Sequence, residues 1–235
     1  MSVSLGNSKI GAAEIANMAV KSLTELTSDQ QELLFQTKKE QTFSAILATK
    51  MQDYLDSSQF RVLVELKGVD YQVKATSKVG EKKNRNTHDL GVLDPTAKLN
   101  LILENKVWYH FDGAKGSRTI RVEKNVREQL KADVFKLKHT GIRQDVKNCF
   151  VLVNIVTPSN PEVLPKSYRD SHDAAIKRTK GDFSRYRSDG VFGIKSVIEE
   201  FSSEFTSIVH LGTDSPIGVT GSGFLDVFCA QVVMN

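Results

Sequence analysis

The chain has 235 residues, 40% apolar and 26% charged, with a formal net charge of +4. That balance excludes a collagen-like or low-complexity chain, and no apolar run approaches the roughly 18 residues a membrane-spanning helix needs. The mild basicity permits a polyanionic partner without requiring one. The first twenty residues lack a charged start followed by an apolar core, so no secretory leader is expected and the chain reads as cytoplasmic. Cys149 and Cys229 sit inside apolar strand-like runs and read as buried, reduced thiols.

In chain order, residues 11–34 look helical, and residues 38–56 place Phe43, Ile46, Leu47, Met51, Tyr54 and Leu55 at helical spacing. From Phe60 the pattern changes to period two: FRVLVELK and DYQVKA read as strands with a hairpin near Gly68. The polar segment 77–88 has no apolar periodicity and reads as an exposed basic loop. DLGVL and LNLILENKVWYHF follow as two strands separated by turn chemistry at Asp94-Pro95. Val126, Leu130, Val134 and Leu137 predict a helix over 123–139, with Gly141 placed to end it. CFVLVNIV is a nearly continuous apolar run, as in a strand buried on both faces. Beyond Pro158 come a loop, a polar stretch over 166–190, a helix expected at 191–209 and a last strand at 223–233. The order predicts an α/β fold with a mixed central sheet flanked by helices. One domain over 1–235 is expected, with a core at about 38–157 and a C-terminal elaboration from about 158.

The chemistry concentrates in the two strands after the basic loop. Asp89 heads the first, and Glu104, Asn105 and Lys106 close the second. Alternation puts Glu104 and Lys106 on one face, and if the strands pair, the Asp89 carboxylate comes close to Glu104. Two carboxylates converging with a backbone carbonyl make the hard-oxygen site that Mg²⁺ prefers, and an adjacent lysine can orient a metal-bound water or shield charge on a phosphate. Acid-x-Lys recurs at Glu65-Leu66-Lys67, Glu81-Lys82-Lys83 and Asp145-Val146-Lys147, but only residues 104–106 follow a strand headed by an acid and a basic loop. The plain alternative is a structural salt bridge at a sheet end.

The order α, β, β, β, α, β, with Asp89 opening one strand and Glu104-Asn105-Lys106 closing the next, resembles the PD-(D/E)xK superfamily, the restriction-endonuclease-like nucleases. The resemblance spans about residues 38–157. It implies a restriction-endonuclease-like core and a metal-dependent deoxyribonuclease. Asp89, Glu104 and the backbone carbonyl of Asn105 would hold Mg²⁺, or Mn²⁺ in its place, and Lys106 would assist the attacking water. Glu40 matches the glutamate that many members carry on the first core helix near the metal. His88 stands where the family has proline, and Asn105 where an apolar residue usually packs. DNA is the implied partner, and a homodimer is an expectation of the same kind. The competing reading is a catalytically idle nucleic-acid-binding or structural protein of the same fold; an unrelated α/β protein with a chance motif is a third.

Basic residues beside these acids are candidates to grip a phosphate backbone: Lys82, Lys83 and Arg85 in the loop, with His88 adjoining Asp89. Farther on, Arg178, Lys180, Arg185 and Arg187 interleave with Tyr186, as on nucleic-acid surfaces. Both runs could instead be solvated faces. The remaining histidines lack ligand spacing, and Trp108 and Tyr109 read as packing residues.

Overall fold

The computed structural model describes residues 2–5, 8–37, 40–55, 59–66, 88–110, 120–219 and 221–234. The expected partner strand at 70–75 and the loop carrying Lys82, Lys83 and Arg85 lie outside the described residues. Strands β1 (Ser2–Leu5) and β2 (Ser8–Gly11) form a small antiparallel ribbon that leads into α1 (Ala12–Thr24). The helical run expected over 11–34 breaks before α2 (Ser28–Thr37). There the Gln30 N–H donates to Thr27 Oγ1 and the Thr27 N–H to Gln30 Oε1, a reciprocal cap that starts a new helix.

The next elements are α3 (Glu40–Tyr54), β3 (Arg61–Leu66), β4 (His88–Leu93), β5 (Leu99–Tyr109), α4 (Ile120–Gln144) and β6 (Asn148–Pro158). Helices α5 (Lys166–Arg178) and α6 (Phe183–Glu200) precede β7 (Phe205–Gly212) and β8 (Gly223–Val232). Six strands form one mixed sheet in the order β3-β4-β5-β6-β8-β7, antiparallel except where β5 meets β6. A parallel pair needs a crossover, and α4 supplies it.

Alternation along the central strands divides the core. Leu101, Leu103, Phe150 and Leu152 face α1 and α3, while Ile102, Val151 and Val153 face α4 and α6. Every residue of β6 is buried, as its continuous apolar run predicts. On α4, Val126, Leu130, Val134 and Leu137 lie against the sheet. Each such side chain contributes on the order of 1.5–3 kcal/mol when fully buried. Among the described residues, no helix is long and apolar enough to cross a membrane.

Three expectations are corrected. The Glu104-Asn105-Lys106 run does not close its strand, since β5 continues to Tyr109. Helix α4 passes through Gly141 and stops at Gln144, with Asp145 in left-handed backbone at φ 52°. Gly141 is required by contact instead: a Cβ there would strike the Met234 side chain and lie 2.8 Å from the Val146 carbonyl. The helix expected over 191–209 begins earlier and ends at Glu200, and after a short 3-10 turn at Ser202–Glu204 the chain forms β7, along which half-buried and exposed positions alternate.

Candidate active site

The site forms where β4 and β5 run between α3 and α4. Asp89 is the second residue of β4, and its Oδ2 accepts the backbone N–H of Asn105 at 2.7 Å. The strand that carries Glu104 and Lys106 therefore also pins the first acid. On the α3 side, the buried Asn105 amide donates to Ser44 Oγ at 3.0 Å and to the Glu40 carbonyl at 3.2 Å, and its Oδ1 accepts from Asn154 Nδ2 at 2.6 Å. An amide that looks out of place among apolar neighbours is thus satisfied from both sides, and it ties the first turn of α3 to β5. That tie brings Glu40 to the lysine: Lys106 Nζ lies 3.4 Å from Glu40 Oε2.

The α4 side completes the cluster with residues the sequence reading did not single out. Glu104 is only 2% exposed, and its Oε1 accepts from both His88 Nδ1 and Lys136 Nζ, the latter at 2.7 Å. A carboxylate can only accept, so Nδ1 carries the His88 proton; Nε2 meets Thr140 Oγ1 at 2.9 Å. Asp133 Oδ2 lies 3.4 Å from Lys106 Nζ. Asp133, Lys136 and Thr140 are spaced by three and four residues on α4 and share one helix face. Their signal in the sequence was an acid at 133, three residues after Leu130 and four before Leu137, on the stripe otherwise apolar.

These contacts shift the titrations. Burial and the charge of Glu104 push Asp89 up to about 6, against the Asn105 N–H, Lys106 and Lys136. Burial likewise pushes Asp133 up to about 7, with Glu104 and Asp89 adding to it and Lys106 and Lys136 opposing. Burial would raise Glu104 too, but His88 and Lys136 together outweigh it and its pKa is lowered. For Lys106, burial is outweighed by the carboxylates of Asp133, Glu40, Asp89 and Glu104, which raise it above the ordinary lysine range. Lys106 is a fixed cation, suited to donating hydrogen bonds and stabilising negative charge and unsuited to taking up a proton.

Compared with family models, curated proteins and solved structures, the chain matches none.

The other expected site residues divide three ways. His88 is fully buried on Glu104 and Thr140, so it faces the interior and not a phosphate; its work is to orient Glu104. Arg187 is held by Asp226, with Nε 2.9 Å from Oδ2 and Nη2 3.0 Å from Oδ1, and it lies over the Phe224 ring. That pair is structural, and the neighbouring Tyr186 is buried, so neither presents a base-stacking surface. Arg178, Lys180 and Arg185 are exposed, at the end of α5 and the start of α6.

The donor set suits a hard divalent cation in charge and in atom type. Four carboxylates, Glu40, Asp89, Glu104 and Asp133, surround two ammonium groups, Lys106 and Lys136, a formal surplus of two negative charges over these six groups. Among the described residues, no three His, Cys, Asp or Glu side chains are arranged as a metal-ligand group, so a cation here would have at most two carboxylates and a carbonyl oxygen from the protein. A small protein ligand set completed by water is the usual Mg²⁺ arrangement.

Proposed function

We propose that this chain is a restriction-endonuclease-like nuclease that hydrolyses phosphodiester bonds in DNA with Mg²⁺ or Mn²⁺. The observation that carries the reading is the convergence of Asp89, Glu104 and Lys106 where β4 and β5 pair, in a largely buried cluster that with Glu40, Asp133 and Lys136 has two formal negative charges in surplus. The helix, three strands, helix and strand from α3 to β6 support the same reading, as does Glu40 at the start of α3.

Asp89, Glu104 and the Asn105 carbonyl would hold the cation, with Glu40 bordering it. The bound cation would supply a water of lowered pKa and neutralise charge on the scissile phosphate. Lys106, kept protonated by its carboxylate neighbours, donates toward the attacking oxygen or a non-bridging phosphate oxygen, where negative charge accumulates. The Asn105 N–H fixes Asp89, and His88 fixes Glu104, so both acids meet the cation in set orientations. Exposed Arg178, Lys180 and Arg185, together with Lys82, Lys83 and Arg85 just upstream of β4, would grip the backbone irrespective of sequence.

One observation favours the idle-protein alternative: Glu104 Oε1 is already engaged by the His88 ring and the Lys136 ammonium. Incubating supercoiled plasmid with the protein and Mg²⁺ or Mn²⁺ separates the two. Relaxed and linear products that vanish with a chelator and with Lys106→Met support the nuclease. Plasmid that is bound and retarded but never cut supports the idle protein.

A further inference from the structure

We propose that Asp133 is a positioning residue that holds the Lys106 ammonium at the site. The inference rests on the nuclease reading for the importance of Lys106, but the hold itself is a separate property of the fold. Strand β5 supplies an acid at 104 and a lysine at 106, and α4 supplies an acid at 133 and a lysine at 136. The pairing is reciprocal: Glu104 takes Lys136 at 2.7 Å, and Lys106 faces Asp133 at 3.4 Å. Two residues along a strand advance about 6.6 Å, and three along a helix about 4.5 Å. Long lysine side chains cover that difference, so each acid can meet the other element's base.

Asp133 lies on the α4 stripe with Val126, Leu130, Val134 and Leu137, where an apolar residue would pack without any desolvation cost. Its Oδ2 is buried and makes no hydrogen bond; its ion pair among the described residues is with Lys106. A carboxylate kept in an apolar stripe, 3.4 Å from an ammonium that another element supplies, is placed for that ammonium. Glu40 approaches Lys106 from α3 at the same 3.4 Å, but its side chain is 37% exposed against 12% for Asp133, so water screens it more. Lys106 Nζ also donates to Glu40 Oε2 and, at 3.3 Å, to the Asn105 carbonyl, and Asp133 adds to these the more deeply buried charge, from the α4 side.

The test uses the whole chain and two readouts. Acetic anhydride modifies only unprotonated, accessible amines, and the modification at Lys106 is followed by mass spectrometry in wild type and Asp133→Asn. In parallel, kcat and KM are measured on a DNA substrate with Mg²⁺. Asp133→Asn should acylate at Lys106 at least about tenfold faster and lose about 30-fold or more in kcat, with KM within about twofold. Asp133→Glu, which keeps the charge, should recover most of both. Unchanged acylation and unchanged kcat in Asp133→Asn would overturn the proposal, as would a fall in kcat that Asp133→Glu shares while acylation stays at the wild-type rate. If Asp133→Asn melts, the comparison of wild type with Asp133→Glu decides on the same criteria. If wild type never cuts DNA, the nuclease reading falls while acylation still decides whether Asp133 holds Lys106.

Discussion

Glu104 Oε1 and Lys136 Nζ stand 2.7 Å apart at a carboxylate that is almost wholly out of water. The ammonium balances the same charge that a divalent cation would use. Removing it leaves Glu104 with His88 alone and makes the local potential more negative. Lys136→Gln is therefore expected to bind Mn²⁺ about tenfold more tightly by calorimetric titration, about 1.4 kcal/mol. Weaker binding by the variant would mean that Lys136 holds Glu104 in its ligating pose.

Asp89 gives a prediction in pH. Its folded pKa of about 6 lies above its ordinary value of 3.8, so between those values the folded protein binds more protons than the unfolded chain, and stability falls as pH rises through the window. Above it, the ionised Asp89 costs at most on the order of 3 kcal/mol. Asp133, pushed up to about 7, acts in the same direction. Asp89→Asn is expected to melt a few degrees higher than wild type at about pH 8 without added metal, and to lose that advantage at about pH 4. The same variant should show no calorimetric signal for Mn²⁺. A wild-type signal in the variant would remove Asp89 from the ligand set.

Lys106→Met keeps the length of the side chain and removes its charge. Cleavage is expected to fall at least about 100-fold while DNA affinity stays within about twofold, because the lysine acts on charge that develops during reaction. The check is single-turnover kinetics beside fluorescence anisotropy. Equal losses of affinity and rate would assign Lys106 to binding.

The basic residues separate by what already holds them. Replacing Lys82, Lys83 and Arg85 together by alanine is expected to flatten the dependence of log affinity on log salt by about 0.9 for each lost phosphate contact, and the triple variant of Arg178, Lys180 and Arg185 the same. Parallel lines would take that group off the DNA surface. Arg187→Ala should instead unfold more easily, by about 3–5 kcal/mol in chemical denaturation, because it leaves Asp226 buried without its guanidinium. A shift in DNA affinity with unchanged stability would reverse that assignment.

What could be read in advance follows from how local each signal is. Asp89, Glu104 and Lys106 stood out because strand alternation and the preceding acid are visible within twenty residues of chain, and Glu40 because it opens a helix. Asp133 and Lys136 did not, since charges in a helix are ordinarily solvated and only the crossover of α4 turns them onto β5. The interior placement of His88 was invisible for the same reason: Thr140 and Glu104 meet it from separate elements. The tail of the expected helix at 191–209 failed on a short-range ambiguity, because TSIVHLG carries apolar residues compatible with either period until its pairing with β8 selects the strand.

In the sheet, β8 lies between β6 and β7 and pairs with both. During synthesis on a ribosome, β6 and β7 emerge before the strand that joins them, and β6 carries an unbroken run of buried positions along its waiting edge. Until β8 arrives, the nascent chain presents an apolar edge to any neighbour able to add a strand. A stop codon placed before Gly223 would therefore not give a shortened protein with an intact site, although every site residue lies upstream; the truncated chain is expected in the insoluble fraction, bound to chaperones, or degraded.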